Sequence, residues 1–529
     1  MAAVLAVAVM AIGVATIGAL AVGTLDGGGS DAKTQGQALT AAARPTPPPV
    51  VLLTLDELPV DSLLGTDGRI DAVRYPNLAA LARISTWYPN ATTVYDSTSK
   101  AVPAILDSKL PRPRRPATFK GHPKNVFTLF GGRGYRIVAS EEATAMCPRR
   151  YCRNARTKLP PITKLQAGGR KQRFAKWVGS IRGDSPTFYY KHVFLPHGPR
   201  IYLPSGKEFA PTPPGLEGLT TPRGFHDRGL TDHNEARYLL QLAFTDREVG
   251  RLLAKLRRVG LLDKALLVIT ADHGFAFEVG VPDRRKVTRS NIDEIVTVPL
   301  FVKAPGQRIG RVDDTYVRTV DILPTIAETL GFRLNWRHDG RPASAPSTRA
   351  RRGVSIVTRD FKRTIRISAR ALERRRRQNV RRAARLFGSG ARSAQLYRSP
   401  FASLYRIGPH RELLGKPLAR LRTRGPGGVR AHVQDARLRR AFNPASSLLP
   451  TRIAGTISGA GSGARRDIAV AVNGRVLGLG RSLHLLGGSP ELFAILIPDD
   501  SLRRGRNDVR LYEVSRQGRR LILTLLGRA

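Results

Sequence analysis

The chain of 529 residues predicts an α/β fold in which a mainly parallel sheet is sandwiched by helices. Three observations carry that expectation. First, apolar runs rich in β-branched and aromatic residues recur, at Val50–Leu55 (VVLLTL), Thr187–Leu195 (TFYYKHVFL) and in the stretch LLVITADHG that starts at Leu266. Continuous rather than alternating hydrophobicity marks strands covered on both faces. Second, Tyr75–Ile84 and Asn234–Val259 carry apolar residues at helical spacing, and strand, helix, strand in succession makes parallel neighbours. Third, the runs stop at acids or histidines, and open α/β sheets bind ligands just beyond the carboxyl ends of their strands.

Ahead of that body, Ala2–Gly23 is uncharged and almost wholly Ala, Val, Leu, Ile and Gly, long enough as a helix to cross a bilayer. The expectation is an uncleaved membrane anchor over residues 1–25 and a linker rich in Gly, Ala, Thr and Pro over residues 26–49. The rest is then an extracytoplasmic body held at the cell membrane by a single pass. No Lys or Arg precedes the segment, so charge bias leaves its orientation unset.

The body opens with Val50–Leu55, a strand ending on Asp56 and Glu57. Tyr75–Ile84 follows as a helix. Asn90–Pro111 then places Ser97, Thr98 and Ser99 before Lys100 and the helical pattern AVPAIL. Hydroxyls at such an entrance ordinarily cap the helix. The position also suits a nucleophile, because free N–H groups and the positive helix end favour the anionic group it attacks. Phe127–Val138 is expected as a further strand. Cys147 and Cys152, the two cysteines of the chain, close one small loop and read as a disulfide of an oxidising compartment, with a zinc half-site as the alternative. Thr187–Leu195 empties into Pro196, His197, Gly198 and Pro199, which holds a histidine at a strand end. Thr297–Lys303 supplies one more strand and Thr319–Leu330 one more helix, in a domain spanning residues 50–345.

The formal net charge of +48 is mostly arginine. Residues 346–448 are expected as a basic linker region: Pro346–Pro450 holds 27 Lys plus Arg against four Asp plus Glu, a net of +23. Neither a nucleic-acid-binding motif nor interleaved aromatics accompany the charge, so the expected partners are an anionic ester substrate and the membrane, with no nucleic acid. From residue 449 to 529, short β-prone runs alternate with glycine turns, and Asn473–Gly474 between AVAV and RVLGL marks a hairpin. A small β-sandwich is expected there.

Asp56, Glu57, Thr98, His197, Asp272 and His273 thus fall at strand ends or at a helix entrance, and share one sheet edge if those strands are neighbours. Carboxylates, imidazole and a hydroxyl suit a divalent metal that activates the hydroxyl against a phosphoryl or sulfuryl group. With nitrogen in the set, Zn²⁺ or Mn²⁺ fits ahead of Ca²⁺ or Mg²⁺.

In this order and spacing, VVLLTLDELP, the hydroxyl cluster before a helix, HVFLPHGP and LLVITADHG resemble the sulfatase branch of the alkaline phosphatase superfamily over about Val50–Leu330. The resemblance implies an α/β sandwich with metal at the strand ends, held by Asp56, Glu57, Asp272 and His273. True sulfatases use a cysteine, converted to formylglycine, in a C-x-P-S-R pattern, and here the sequence is TSKAVP. Thr98 preceding Pro103 by five positions is similar instead to lipoteichoic acid synthases and lipid A phosphoethanolamine transferases. That likeness implies Thr98 as a metal-bound nucleophile forming a covalent phospho-enzyme, with Lys100 or His197 steadying the transferred group and Ser97 and Ser99 as rivals. Those transferases use one acid after the first strand, which sets Glu57 behind the ligands. His192 is expected in the core or just behind the metal ligands, and His338 in a loop, with closure over the substrate as the alternative. The expected function is a membrane-anchored, metal-dependent hydrolase or transferase of phosphate or sulfate esters. A catalytically silent module of this fold binding anionic envelope glycans is the alternative.

Overall fold

The computed structural model describes residues 46–528 apart from 184–185, 210–227, 280–282, 460–464 and 485–489. Its centre is a sheet of seven strands: β1 (Val50–Asp56), β2 (Thr86–Trp87), β3 (Arg136–Ser140), β4 (Thr187–Pro196), β5 (Leu266–Ala271), β6 (Leu300–Lys303) and β7 (Arg311–Val312). They lie in the order β3-β4-β1-β5-β6-β2-β7. The β3–β4, β4–β1, β1–β5 and β2–β7 pairs are parallel, whereas β6 runs antiparallel to both β5 and β2. Every residue of β1, β4 and β5 is buried, which explains why these strands read as unbroken apolar runs.

Register places the site. Leu55 of β1 stands opposite Val193 of β4 and Ala271 of β5, and Asp56 opposite Pro196, so the chain leaves three adjacent strands at one level. Two backbone bonds continue the match past the strand ends, from Asp272 N to the Leu55 carbonyl (3.0 Å) and from Leu58 N to the His273 carbonyl (3.0 Å). Asp56, His197, Asp272 and His273 are therefore neighbours by construction of the sheet.

Helices cover the sheet: α1 (Pro76–Ala82), α2 (Thr98–Asp107), α3 (Val126–Gly131), α4 (Arg170–Gly179), α5 (Arg228–Arg258) and α6 (Ile322–Thr329). The long α5 is the crossover from β4 to β5 expected from its apolar stripe. The strand expected at Phe127–Val138 is in fact α3 followed by β3. Its aromatic content favours a strand, but the Asn125 side chain accepts from Phe127 N and Thr128 N while Thr128 Oγ1 accepts from Asn125 N. That reciprocal cap starts a helix.

Residues 346–448 are folded rather than an open linker. A hairpin, β8 (Gly353–Val357) with β9 (Thr364–Ser368), leads into α7 (Ala369–Phe387) and α8 (Gly390–Tyr397). One face of α7 docks on the α/β body: Leu372, Val380 and Phe387 are buried, Arg376 lies 3.3 Å from Asp61, Arg375 3.3 Å from Asp293, and Arg382 forks onto both oxygens of Glu235 at 2.7 and 2.8 Å. Carboxylates facing the body recruit what composition presents as a solvated charge run.

The C-terminal β-structure begins earlier than residue 449. Strands β10 (Arg422–Pro426), β11 (Val429–Val433), β12 (Arg452–Gly459), β13 (Asp467–Val472), β14 (Arg475–Arg481), β15 (Glu491–Leu496), β16 (Val509–Gln517) and β17 (Arg520–Arg528) form sheets ordered β10-β17-β16-β13-β14 and β11-β12-β15. The sheets meet closely where Gly478 and Gly480 face Ile495, against which an added Cβ would stand 2.8 and 2.7 Å away. Asn473 and Gly474 form the expected hairpin turn, with φ of 48° and 83°. The expected anchor, Ala2–Gly23, lies outside the described residues. Among the described residues no helix is long and apolar enough to cross a membrane.

Helix α1 has no cap of its own, and Asp246 of α5 supplies one, accepting from Leu78 N at 2.7 Å, Asn77 N at 3.2 Å and Asn77 Nδ2 at 2.8 Å. Burial nevertheless pushes the Asp246 carboxyl up to about 6. The folded state thus holds a proton that the unfolded chain has released between about pH 4 and pH 6, and stability falls as pH rises through that window. In urea titrations, the stability advantage of the wild type over Asp246→Asn should shrink by about 2 kcal/mol between pH 4.5 and pH 7.

Candidate active site

The site is built on the turn that follows β5. Asp272 spends one carboxylate oxygen on backbone N–H groups: Oδ1 accepts from His273 N at 2.7 Å and Glu57 N at 3.3 Å. Its Oδ2 is buried without a hydrogen-bond partner among the described residues. His273 Nδ1 lies 2.8 Å from the Gly274 carbonyl, so it carries the proton and leaves the Nε2 lone pair facing the site. Gly274 is required by contact, since a Cβ there would stand 2.0 Å from the Glu294 carbonyl oxygen. Its N–H instead donates to the Ile295 carbonyl at 2.8 Å.

Thr98 is the first residue of α2, and Ser97 before it makes no side-chain cap bond. The Thr98 hydroxyl is therefore available, 3.2 Å from His273 Nε2 and 3.5 Å from Asp56 Oδ2. Ser97 Oγ and Ser99 Oγ lie 3.4 Å from each other. Thr98 is buried, Ser97 is half-buried and Ser99 is exposed.

Asp56, Asp272 and His273 offer ligand atoms that all lie within 4.8 Å of one another, and all three residues are fully buried. Asp56 Oδ1, like Asp272 Oδ2, lacks a hydrogen-bond partner among the described residues. Burial, then the Glu57 charge, holds the Asp56 carboxyl well above the usual range; burial, then Asp56, raises Asp272 to about 6. Two carboxylates with an unpartnered oxygen each, an imidazole lone pair and a hydroxyl, all buried, fit a divalent cation, which would reverse both shifts. His192, expected in the core or just behind the ligands, lies against this group with Nε2 3.4 Å from Asp56 Oδ2, and neither ring nitrogen has a hydrogen-bond partner among the described residues.

Glu57 belongs to a second group, with Asp56 and His197. It adopts φ 59°, a left-handed conformation uncommon outside glycine. Arg284 sits at 3.0 Å, His197 at 3.3 Å, Arg285 at 3.7 Å and Arg200 at 4.0 Å. Burial alone would raise this carboxyl, but Arg284, His197, Arg285 and Arg200 outweigh it and hold Glu57 below the usual carboxylate range. The His197 Nδ1 bonds the Gly198 carbonyl at 2.5 Å, and Nε2 faces Arg284 Nη2 at 3.4 Å and Gln166 Nε2 at 3.3 Å. Burial lowers its pKa to about 3, so His197 is neutral at ordinary pH.

Lys100 is not brought to this centre. Its ammonium donates to the carbonyls of Arg112 and Arg115 at 2.7 and 2.8 Å, which a helix residue two positions past Thr98 can reach only by turning to another face. His338 bonds the Gly340 carbonyl at 3.0 Å and is likewise apart. Cys147 and Cys152 are bonded to each other. Arg200, Arg284 and Arg285 escape a reading by motif, although Arg200 directly follows HGP and DRRK ends five residues before Ile292–Val296, the segment that packs on Gly274.

Metal content separates the two carboxylate groups. Asp272→Ala and His273→Ala should each weaken divalent-metal affinity at least about tenfold, the minimum that loss of even a group behind a ligand produces. Glu57→Gln should keep its metal. Elemental analysis of chelator-dialysed protein distinguishes these outcomes, and equal loss in Glu57→Gln would make Glu57 a ligand.

A model of the family described as Sulfatase matches residues 48–332. The chain is 32% identical over 97 residues to arylsulfatase K of Bos taurus, covering 18% of this chain and 17% of that protein. It is 30% identical over 118 residues to the multifunctional alkaline phosphatase superfamily protein PehA of Trinickia caryophylli, covering 22% of each. The chain spans less than a quarter of the length of these curated relatives. The solved phosphonate monoester hydrolase of Agrobacterium radiobacter is similar at TM-score 0.42 and 17% identity, over 62% of this chain and 82% of that one. With the family match covering more than half of its residues, the chain belongs to the sulfatase family.

Proposed function

We propose that this chain is a metal-dependent hydrolase or transferase of phosphate or sulfate esters that works through Thr98. The observation supporting this is the position of the Thr98 hydroxyl, between His273 Nε2 at 3.2 Å and Asp56 Oδ2 at 3.5 Å. A divalent cation held by Asp56, Asp272, His273 and Thr98, Zn²⁺ or Mn²⁺ by its ligand types, would lower the pKa of the hydroxyl and offset the charge of the ester. The chain's own groups do the rest. Thr98 Oγ1 forms the bond to phosphorus or sulfur as the bond to the leaving oxygen breaks. Asp56 Oδ2 stands ready for the hydroxyl proton, and the departing alkoxide takes up a proton from water to leave as the alcohol. Arg284 and Arg285 face the ester oxygens, and neutral His197 holds Arg284 in place instead of titrating. Water or an acceptor alcohol then takes the group from Thr98 and restores the hydroxyl.

Envelope glycans or lipids are the proposed substrates, and the location is proposed as extracytoplasmic at the cell membrane. The Cys147–Cys152 bond supports an oxidising compartment, and the apolar stretch Ala2–Gly23 supports anchoring.

Turnover of aryl phosphate, phosphonate and sulfate esters tests the reading. Thr98→Ala should lose at least roughly 10³-fold in kcat, as removal of a nucleophile does, while Lys100→Ala should stay near wild type. Mass spectrometry of the Thr98 peptide, after incubation with envelope lipid extract, should show an adduct whose mass names the transferred group. An adduct on Ser97 or Ser99, or unchanged activity in Thr98→Ala, would overturn the assignment.

A further inference from the structure

The two faces of α7 differ. On the inner face Arg375, Arg376 and Arg382 are matched with Asp293, Asp61 and Glu235. On the outer face Arg381 and Arg385 are exposed, and among the described residues neither has an ion-pair partner. After α7 the chain turns at Gly388 and folds back through α8, so that Arg392, Arg406 and Arg411 line the same concave cleft, about 640 Å³ in volume. Its lining includes five arginines, no lysine and no acid. None of the residues assigned to the catalytic centre lines it.

The cleft is partly preorganised. Arg406 stacks its guanidinium 4.7 Å from the Tyr397 ring and donates to the Leu414 carbonyl at 3.3 Å. Tyr397 and its neighbour Leu396 are 40% and 55% exposed, unusual for such side chains inside a cationic cleft. Guanidinium forks match planar or tetrahedral oxyanions through paired N–H donors, and they are more weakly hydrated than ammonium groups. Unneutralised guanidiniums gathered in one concavity repel one another, and a ligand with repeated negative groups removes that repulsion. An exposed tyrosine ring adds a stacking face for a sugar.

We propose that this arginine cleft binds a linear glycan carrying repeated sulfate esters, at a site separate from the metal-centred one. Concavity disfavours a planar bilayer as the occupant. A single exposed ring falls short of the successive stacking platforms that single-stranded nucleic acid uses.

Titration calorimetry of the full chain with a heparin octasaccharide tests the proposal. The triple variant Arg381→Glu, Arg385→Glu, Arg392→Glu should bind at least about tenfold more weakly at roughly 0.15 M NaCl, with the slope of log affinity against log salt reduced by about two to three. The matched control Arg504→Glu, Arg516→Glu, Arg519→Glu, all exposed in the C-terminal sheets and turns, should change affinity less than about threefold. Chemically desulfated octasaccharide should bind weakly to every form. If charge reversal impairs folding by circular dichroism, the corresponding Gln variants carry the test. Equal losses in both triples would overturn the cleft in favour of diffuse charge. Tighter binding to single-stranded DNA of matched charge, or to anionic phosphatidylglycerol vesicles, would overturn the glycan. Thr98→Ala should bind the octasaccharide as the wild type does, which keeps failure here distinct from failure of the catalytic reading.

Discussion

Burial of three carboxylates at the ends of adjacent parallel strands is the constraint on which the rest of this structure turns. Asp56, Glu57 and Asp272 are each fully inaccessible to solvent. Removing one such ion from water costs several kcal/mol even after relaxation, and only counter-charge with good geometry offsets it. The chain divides the problem. Glu57 is matched by protein cations, Arg284 foremost, whereas among the described residues no arginine or lysine forms an ion pair with Asp56 or Asp272. That division of labour separates the part of the pocket suited to a metal from the part suited to an anion's outer oxygens, and Thr98 lies on the metal's side.

The same logic extends outward. The carbonyls of Ile295 and Glu294, in segment Ile292–Val296, accept from the Gly274 and Phe275 N–H groups, and so hold the backbone that carries His273. Asp293 in that segment is held by Arg375 and by Asn379 at 2.8 Å, both on α7. A helix that carries no group of the catalytic centre is thus two contacts from the imidazole. Charge in this protein is distributed structure, with inner arginines of α7 acting as internal counter-ions and Arg381 and Arg385 exposed on its outer face.

Much of the site was legible without coordinates because parallel sheets impose a strong rule. Buried strands show as unbroken apolar runs, and their carboxyl ends converge, so Asp56, Asp272 and His273 could be grouped from sequence alone. Thr98 came from helix-entrance chemistry. What stayed hidden depends on side-chain direction and on distant packing. Lys100 turns to loop carbonyls because its place on the helix points it elsewhere, a matter of rotamer and helical phase rather than residue type. Arg284 and Arg285 sit in a loop with no periodicity. Phe127–Gly131 reads as strand by composition, and the Asn125–Thr128 reciprocal cap was the overlooked local signal. Residues 346–448 misled most, since composition registers the arginines but not the acids that await them from Asp61, Glu235 and Asp293.

Those contacts bear on where the chain can be divided. Cutting after residue 345, where the composition changes, would remove Arg375, Arg376 and Arg382 at a stroke. Asp61, half-buried, and Glu235 and Asp293, both buried, would then face an uncovered apolar groove once filled by Leu372, Val380 and Phe387. A piece that keeps these pairs therefore reaches at least to the end of α7. Modular boundaries in this protein follow where charge is neutralised, not where composition shifts.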